Sequence, residues 1–173
     1  MGYCRGLARA AIAAGALISI GARAKKLQQE TGLWRVTTNK GTLMARHVVL
    51  GTNAYTDDLW PGLKYSFTKI NYFQLATRPL GDRIKHILPQ QQGLWDTGKI
   101  MFSLRRDDSE RLIIGSMGNV MGNQSGGVSH RWAQKKLAHL FPKLGWVDFD
   151  EAWQGQIAMT PDHLPHIHKL ADN

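Results

Sequence analysis

Residues 33–55, LWRVTTNKGTLMARHVVLGTNAY, form the stretch that decides the fold class. Residues 34–38 alternate between apolar and polar side chains, which is typical of a half-buried strand. Asn-Lys-Gly at 39–41 is a hairpin turn signal, so residues 42–50 are predicted to pair back onto the first strand. The second strand ends in the apolar run 48–50, which predicts a strand buried on both faces. The stretch therefore indicates a β-rich region in which a hairpin leads into a buried strand.

The rest of the chain predicts a mixture of helices and strands. Apolar residues at helical spacing predict a helix near residues 7–15, and a second helix is predicted from an N-cap at Ser129 to Phe141. Further strands are predicted at residues 17–20, 24–28, 69–78, 99–105, 111–115 and 147–157. Turns or loops are predicted at residues 80–92, 107–110, 118–127 and 160–165. The predicted fold class is α/β in the broad sense (α+β).

The composition is that of a globular protein with a basic balance. The chain has 173 residues and a formal net charge of +9, and 43% of its residues are hydrophobic, so disorder is not expected. A basic balance suits nucleic acid, an anionic surface or an anionic cofactor. The lysine and arginine residues of this chain are scattered along the sequence, without a run of five or more. Neither a nucleic-acid nor a membrane partner is therefore expected. A non-catalytic basic module that binds nucleic acid or another anion is the alternative.

Residues 1–24 allow two interpretations. A basic start, an apolar stretch and an A-x-A pattern at 22–24 resemble a secretory signal, which would leave a small secreted protein. Helical spacing that ends near Gly15, followed by a short apolar strand, instead favours an ordinary α/β passage. The apolar stretch is too short to span a bilayer. The single Cys4 excludes an internal disulfide and suits a reducing compartment, so we expect a cytoplasmic protein.

Metal and hydrolase chemistry are not favoured. His163, His166 and His168 lie near Asp162, and imidazole is a common metal ligand. No second cysteine and no H-E-x-x-H pattern supports these histidines, so no metal is expected. The sequence contains no G-x-S-x-G elbow, and the paired carboxylates at 107–108 are interpreted as turn residues.

Several segments occur in an order that resembles a known family. They are Gly-Leu-Ala-Arg-Ala-Ala at 6–11, the hairpin at 34–41, Ala-Arg-His-Val-Val-Leu-Gly-Thr-Asn-Ala-Tyr at 45–55, Ala-Thr-Arg-Pro-Leu at 76–80, Arg-Leu-Ile-Ile-Gly at 111–115, Leu-Phe-Pro at 140–142, Trp-Gln-Gly at 153–155 and Asp-His-Leu-Pro-His-Ile at 162–167. Each motif is weak alone, and their order carries the signal. Over nearly its whole length the chain resembles the D-amino-acid oxidase family of FAD-dependent oxidoreductases, especially its gamma-glutamylputrescine oxidase branch.

The resemblance implies an FAD cofactor and a small-molecule amine or amino-acid substrate, whose C–N bond is oxidised to an imine while oxygen reoxidises the flavin. It implies part of a Rossmann-like FAD-binding domain at residues 1–60, a substrate domain with a mainly antiparallel sheet at 61–155, and a return toward the FAD domain at 156–173. Catalytic-site residues are expected on the substrate-facing sheet, at Tyr72 and Arg105. Cofactor-binding residues are expected at Ala24, Gly51, Thr52, Trp60, Leu164 and Pro165.

Two glycine-rich segments of the family pattern have no match here. No strand followed by G-x-G-x-x-G occurs, although that loop lets backbone N–H groups reach the pyrophosphate. The family's late glycine-rich segment beside the flavin has no counterpart before Asn173. We therefore expect an internal fragment of such an enzyme, inactive alone and prone to self-association through exposed surfaces.

Overall fold

A computed structural model describes residues 2–120 and 127–171, and the chain falls into two compact units. Unit 1 takes residues 1–51, 56–63 and 167–173, and unit 2 takes residues 52–55 and 64–166. Most of the glycine-rich loop predicted at 118–127 lies outside the described residues. The functional division at residues 60 and 155 stays a prediction. In the described ranges no helix combines the length and apolar character needed to cross a membrane.

Unit 1 contains a helix and a three-stranded antiparallel sheet. The elements are α1 (Gly2–Ala13), β1 (Ala24–Glu30), β2 (Leu33–Thr38) and β3 (Gly41–Ala45), with the strands in the order β1-β2-β3. Thr38 closes the turn between β2 and β3, because its hydroxyl donates to the Gly41 carbonyl and accepts from the Lys40 N–H. The predicted helix, the strand at 24–28 and the hairpin are thus confirmed.

Two apolar runs predicted as buried strands are not strands. Leu17, in the run 17–20, is 99% exposed, and Val49, in the run 48–50, is 91% exposed. A strand needs a neighbour that supplies backbone hydrogen bonds, and neither run pairs with a strand of the described chain. Both predictions are wrong because an apolar run alone does not provide that neighbour.

Unit 2 is built on a five-stranded antiparallel sheet. Its strands are β4 (Thr68–Thr77), β5 (Leu94–Trp95), β6 (Phe102–Arg106), β7 (Leu112–Met117) and β8 (Phe149–Met159), in the order β5-β6-β7-β4-β8. The four longer strands confirm the predictions at 69–78, 99–105, 111–115 and 147–157. The two-residue strand β5 was not predicted, because two residues carry no periodic signal.

One face of this sheet forms the core of unit 2. It packs against helix α2 (Val128–Leu140) and against the segment 80–92, which was predicted only as a polar loop. The residues of this core that are fully or nearly fully buried include Phe73, Leu75, Ile84, Ile87, Leu104, Leu112, Ile114 and Leu137. The N-cap of α2 is Gly127, and the Ser129 hydroxyl instead donates to the Asn119 carbonyl at 2.7 Å. The predicted Ser129 cap is therefore wrong.

Candidate functional site

The face of the five-stranded sheet opposite the core carries both residues predicted for the substrate. Side chains alternate between the two faces of a strand, so the register of the pairs fixes which residues share a face. This outer face comprises Trp95 on β5, Ser103 and Arg105 on β6, Ile113, Gly115 and Met117 on β7, Tyr72, Gln74 and Ala76 on β4, and Glu151, Trp153 and Gly155 on β8. The structure thus brings Tyr72 and Arg105 to one surface.

Tyr72 reaches across a whole strand on the outer face. Its hydroxyl lies 3.1 Å from the Ser103 hydroxyl, although β7 runs between β4 and β6. Gly115 is the cross-strand partner of both Gln74 and Ser103, and it has no side chain to block the path. The contact therefore depends on a glycine at this position of β7.

Gly115 is also closely covered by its neighbours. A Cβ placed there would lie 2.6 Å from Cδ of Gln74 and 2.7 Å from the Phe73 carbonyl oxygen. Distances this short are below van der Waals contact, so the Gln74 amide lies directly over the glycine. The result is a polar surface made from the Tyr72 phenol, the Gln74 amide and the Ser103 hydroxyl.

Arg105 adds a positive charge beside this surface. It follows Ser103 by two residues on β6, which is about 6.6 Å of strand. Its side chain is exposed, and within the described ranges no ion pair holds its guanidinium. The Tyr72 hydroxyl thus lies within hydrogen-bond distance of Ser103, while the Arg105 guanidinium stays available for an anionic or polar group of a ligand.

A structural ion-pair network borders the outer face at the turn between β6 and β7. The Arg111 guanidinium contacts Asp107 at 2.9 Å and Glu151 at 2.8 Å. Partial burial raises the pKa of Asp107, but hydrogen bonds from the Arg111 backbone and side chain lower it further, so the net pKa lies below 3.8. The charge of Arg111 is thus neutralised by Asp107 and Glu151, so Arg111 is interpreted as a structural residue. Arg105 has no such ion pair in the described ranges and is therefore the candidate for ligand binding.

In unit 1, the predicted cofactor residue Ala24 lines an open cavity of about 410 Å³. Its other lining residues are Arg23, Lys25, Asp57, Asp58 and Leu59. The pairing register shifts between Ala24 and Lys26, so Lys25 sits in a β-bulge. Arg23 and Asp57 form an ion pair at 2.9 Å. The pKa of Asp57 is lowered first by the backbone N–H of Leu59 and then by Arg23.

This cavity fits one half of the flavin nucleotide that the resemblance implies. β1 is the edge strand of its sheet, so one side of its backbone is not paired with another described strand. Free backbone edges can bind an adenine, and a carboxylate such as Asp57 or Asp58 can accept hydrogen bonds from a ribose. The glycine loop for the pyrophosphate is absent from the sequence. The residues that line the cavity therefore suit the adenosine end of the cofactor.

The other predicted cofactor residues lie in loops. The space around Gly51 is open, with nothing within 4 Å of a Cβ placed there. The Thr52 carbonyl accepts the Tyr55 N–H at 3.0 Å and closes a one-turn helix. Trp60 packs edge-to-face on Trp34 with ring centroids 6.0 Å apart. Trp60 thus has a packing partner in unit 1 besides any contact with a cofactor.

Leu164 and Pro165 are exposed in the extended segment after β8. Asp162 organises this segment, since it accepts the Leu164 N–H at 3.1 Å and contacts the His166 ring at 3.0 Å. The hydrogen bond from His166, followed by that from Leu164, lowers the pKa of Asp162 to about 2. Across residues 2–120 and 127–171, no three potential metal-ligating side chains come together.

Sequence reasoning missed several residues of the outer face. They are Gln74, Trp95, Ser103, Gly115, Trp153 and Gly155, together with Tyr55 over β8. The period-two alternation of each strand could have assigned a face to Gln74 and Ser103. Only the register between strands shows that Gly115 opens the path from Tyr72 to Ser103.

Comparison with a protein-family model gives a match over residues 1–173, and the model describes FAD-dependent oxidoreductases (DAO). The chain is 26% identical over 176 residues to the protein named "Probable oxidoreductase OrdL" of Haemophilus influenzae, covering 99% of this chain and 40% of that protein. It is 27% identical over 140 residues to the gamma-glutamylputrescine oxidoreductase of Escherichia coli, covering 80% of this chain and 33% of that protein. The chain thus spans well under half the length of these relatives.

Two solved structures show the same fold. The glycine oxidase of Geobacillus kaustophilus superposes with a TM-score of 0.68 at 21% identity, covering 94% of this chain and 43% of that one. The glycine oxidase of Bacillus cereus superposes with a TM-score of 0.71 at 16% identity, covering 96% of this chain and 45% of that one. The predicted combination of helices with an antiparallel sheet is therefore confirmed.

Proposed function

Because this chain belongs to the DAO family of FAD-dependent oxidoreductases, we propose that it supplies the substrate-facing sheet of an amine or amino-acid oxidase. The observation that carries the proposal is the family match over residues 1–173. The outer face supports it, since an exposed polar surface that carries the Arg105 guanidinium suits a small polar ligand. The names of the glycine oxidase and gamma-glutamylputrescine oxidoreductase relatives favour an amine or amino acid as substrate.

On the cofactor side, the edge of β1 at Ala24 would bind the adenine end through backbone groups, and Asp57 or Asp58 would accept the ribose hydroxyls. Gly51 would allow close approach of the cofactor because it has no side chain. Thr52, Trp60, Leu164 and Pro165 complete the proposed set of contacts. A bound flavin supplies the two-electron chemistry, oxidation of a C–N bond to an imine followed by reoxidation by oxygen.

On the substrate side, Tyr72 and Arg105 would bind and orient the amine. The Tyr72 hydroxyl is held by Ser103 at 3.1 Å, so it has one fixed direction from which to meet a polar group. Arg105 would hold an anionic or polar group of the substrate through charge-assisted hydrogen bonds. Neither residue carries out the redox step, and both act by fixing the reacting C–N bond in place.

The test uses flavin-loaded protein that contains residues 1–173, with loading checked by flavin absorbance. Peroxide release is measured with a panel of primary amines, diamines and amino acids. Loss of a charge-assisted hydrogen bond of about 1.5–3 kcal/mol predicts that Arg105→Ala lowers kcat/KM about 10- to 100-fold on the best substrate. Arg131→Ala is the matched control, because Arg131 is an exposed arginine on α2. Equal kcat/KM values for the two variants would contradict the role of Arg105, and a protein that binds flavin but releases no peroxide from any amine would contradict the proposed function.

A further inference from the structure

The short segment Asn53–Tyr55 follows directly after Thr52 and is held by local hydrogen bonds. Asn53 has a left-handed backbone, with φ at +48°, and its side-chain oxygen accepts the Ala54 N–H at 2.7 Å. Ala54 is fully buried, and the Tyr55 N–H donates to the Thr52 carbonyl at 3.0 Å. Asparagine tolerates this backbone conformation better than most residues. The direction of the Tyr55 side chain is therefore fixed by the turn that contains Thr52.

The Tyr55 side chain anchors this turn to the edge strand β8. The backbone N–H of Gln156 donates to the Tyr55 hydroxyl at 3.1 Å. β8 is the last strand of its sheet, so this N–H points away from β4 and has no partner strand in the described residues. The phenol thus satisfies a backbone donor that would otherwise face water.

Glycine at position 155 makes room for the contact. A Cβ at Gly155 would lie 3.1 Å from the Tyr55 hydroxyl, which is tighter than an ordinary carbon–oxygen contact. Gly155 is also the cross-strand partner of Tyr72. The Tyr55 hydroxyl therefore lies over the residue next to Tyr72 on the outer face.

We propose that Tyr55 is a positioning residue, whose hydroxyl over Gly155 fixes Thr52 of the cofactor side relative to Tyr72 of the substrate side. The inference rests on the proposed function, because that function assigns the roles of Thr52 and Tyr72. Transfer between a substrate carbon and a cofactor is sensitive to their separation, and a displacement of about 1 Å costs on the order of 100-fold in rate. A hydrogen bond that joins the two segments acts on this separation directly.

Tyr55→Phe tests the inference, with Tyr65→Phe as the matched control. Tyr65 is likewise an exposed tyrosine of unit 2 and likewise the last residue of a one-turn helix. Loss of one neutral hydrogen bond of about 1 kcal/mol predicts that the Gln156 amide exchanges with deuterium about fivefold faster in Tyr55→Phe. In flavin-loaded protein, kcat should fall about tenfold or more while KM changes less than about twofold. The control should match the wild type in both measurements.

Gly155→Ala is an independent second variant, because its methyl group displaces the hydroxyl without removing it. It should likewise accelerate exchange at Gln156 and lower kcat. Unchanged exchange at Gln156 in Tyr55→Phe would overturn the anchoring, and faster exchange with an unchanged kcat would overturn the positioning role. A wild-type protein that binds flavin but oxidises no amine would refute the proposed function, while the exchange measurement would still decide the anchoring.

Discussion

Replacing Gly115 by alanine should lower the free energy of unfolding of unit 2 and should also displace the Gln74 side chain on the outer face. The new Cβ would lie 2.6 Å from Cδ of Gln74 and 2.7 Å from the Phe73 carbonyl oxygen. The Gln74 amide can rotate away, since it is the end of a flexible side chain. The Phe73 carbonyl belongs to the backbone of β4 and can move only if the pairing of β4 with β7 moves with it.

Overpacking of this kind costs about 1–3 kcal/mol. For a unit near 100 residues, each kcal/mol lowers the melting temperature by roughly 4–8 °C. A double-mutant cycle separates the cost of the contact with the Gln74 side chain from the cost of the contact with the Phe73 carbonyl. Because the Phe73 contact remains when Gln74 is shortened, we expect Gly115→Ala combined with Gln74→Ala to stay destabilised by about 1 kcal/mol or more relative to Gln74→Ala alone.

Urea unfolding followed by tryptophan fluorescence measures these free energies. Gly93→Ala is the control, because a Cβ at Gly93 meets only the Trp95 ring at an ordinary 3.8 Å. Gly115→Ala with a free energy of unfolding within about 0.5 kcal/mol of the wild type would refute the reasoning, since surface changes fall in that range. Full rescue by Gln74→Ala would refute the assignment of the main clash to the backbone.

Two further predictions concern titrating groups. His166→Ala should raise the pKa of Asp162 from about 2 toward 3.8, because the hydrogen bond from His166 is the largest cause of the shift; carboxyl chemical shifts followed against pH measure it. The folded pKa of Asp162 is depressed, so its contribution to stability is present above about pH 4 and is lost as the pH falls toward 2. Burial lowers the pKa of His130, which is 2% exposed and has an unbonded Nδ1 in the described structure. Because the unfolded chain then binds the proton more readily, the free energy of unfolding should fall as the pH drops below 6.5, and His130→Phe should weaken this dependence in urea titrations from pH 8 to 5.

Each titration has a matched control. His168→Ala should leave the pKa of Asp162 unchanged, because the contact between Asp162 and His166 remains. His139→Phe replaces an exposed histidine on the same helix as His130 and serves as the control for the change of side chain. An Asp162 pKa that does not rise in His166→Ala, or an undiminished pH dependence in His130→Phe, would contradict the respective prediction.

Local patterns predicted the elements that local chemistry specifies. The alternation at residues 34–38 and the Asn-Lys-Gly turn gave the hairpin of β2 and β3, since both signals lie within a few residues. The runs at 17–20 and 48–50 match the strand pattern equally well, yet neither forms a strand in the described part of the chain. Whether such a run forms a strand depends on a partner strand, and the residues of the run do not show whether that partner exists.

At the candidate site, too, individual residues could be predicted from the sequence, but the contacts between them could not. The resemblance proposed Tyr72 and Arg105, and alternation could have placed Gln74 and Ser103. The contact of Tyr72 with Ser103 was beyond prediction, because it depends on the register of three strands and on Gly115 between them. The roles of the predicted cofactor residues stay predictions.

The sequence by itself determined the family, the mixed fold and the approximate positions of most strands, because ordered motifs and periodicity are properties of the chain alone. The tertiary structure decided which side chains share the outer face, why positions 115 and 155 are glycines, and where Tyr55 meets β8. Those facts depend on atoms far apart in sequence and within about 3 Å in space, as with the Tyr55 hydroxyl and the Gln156 N–H at 3.1 Å.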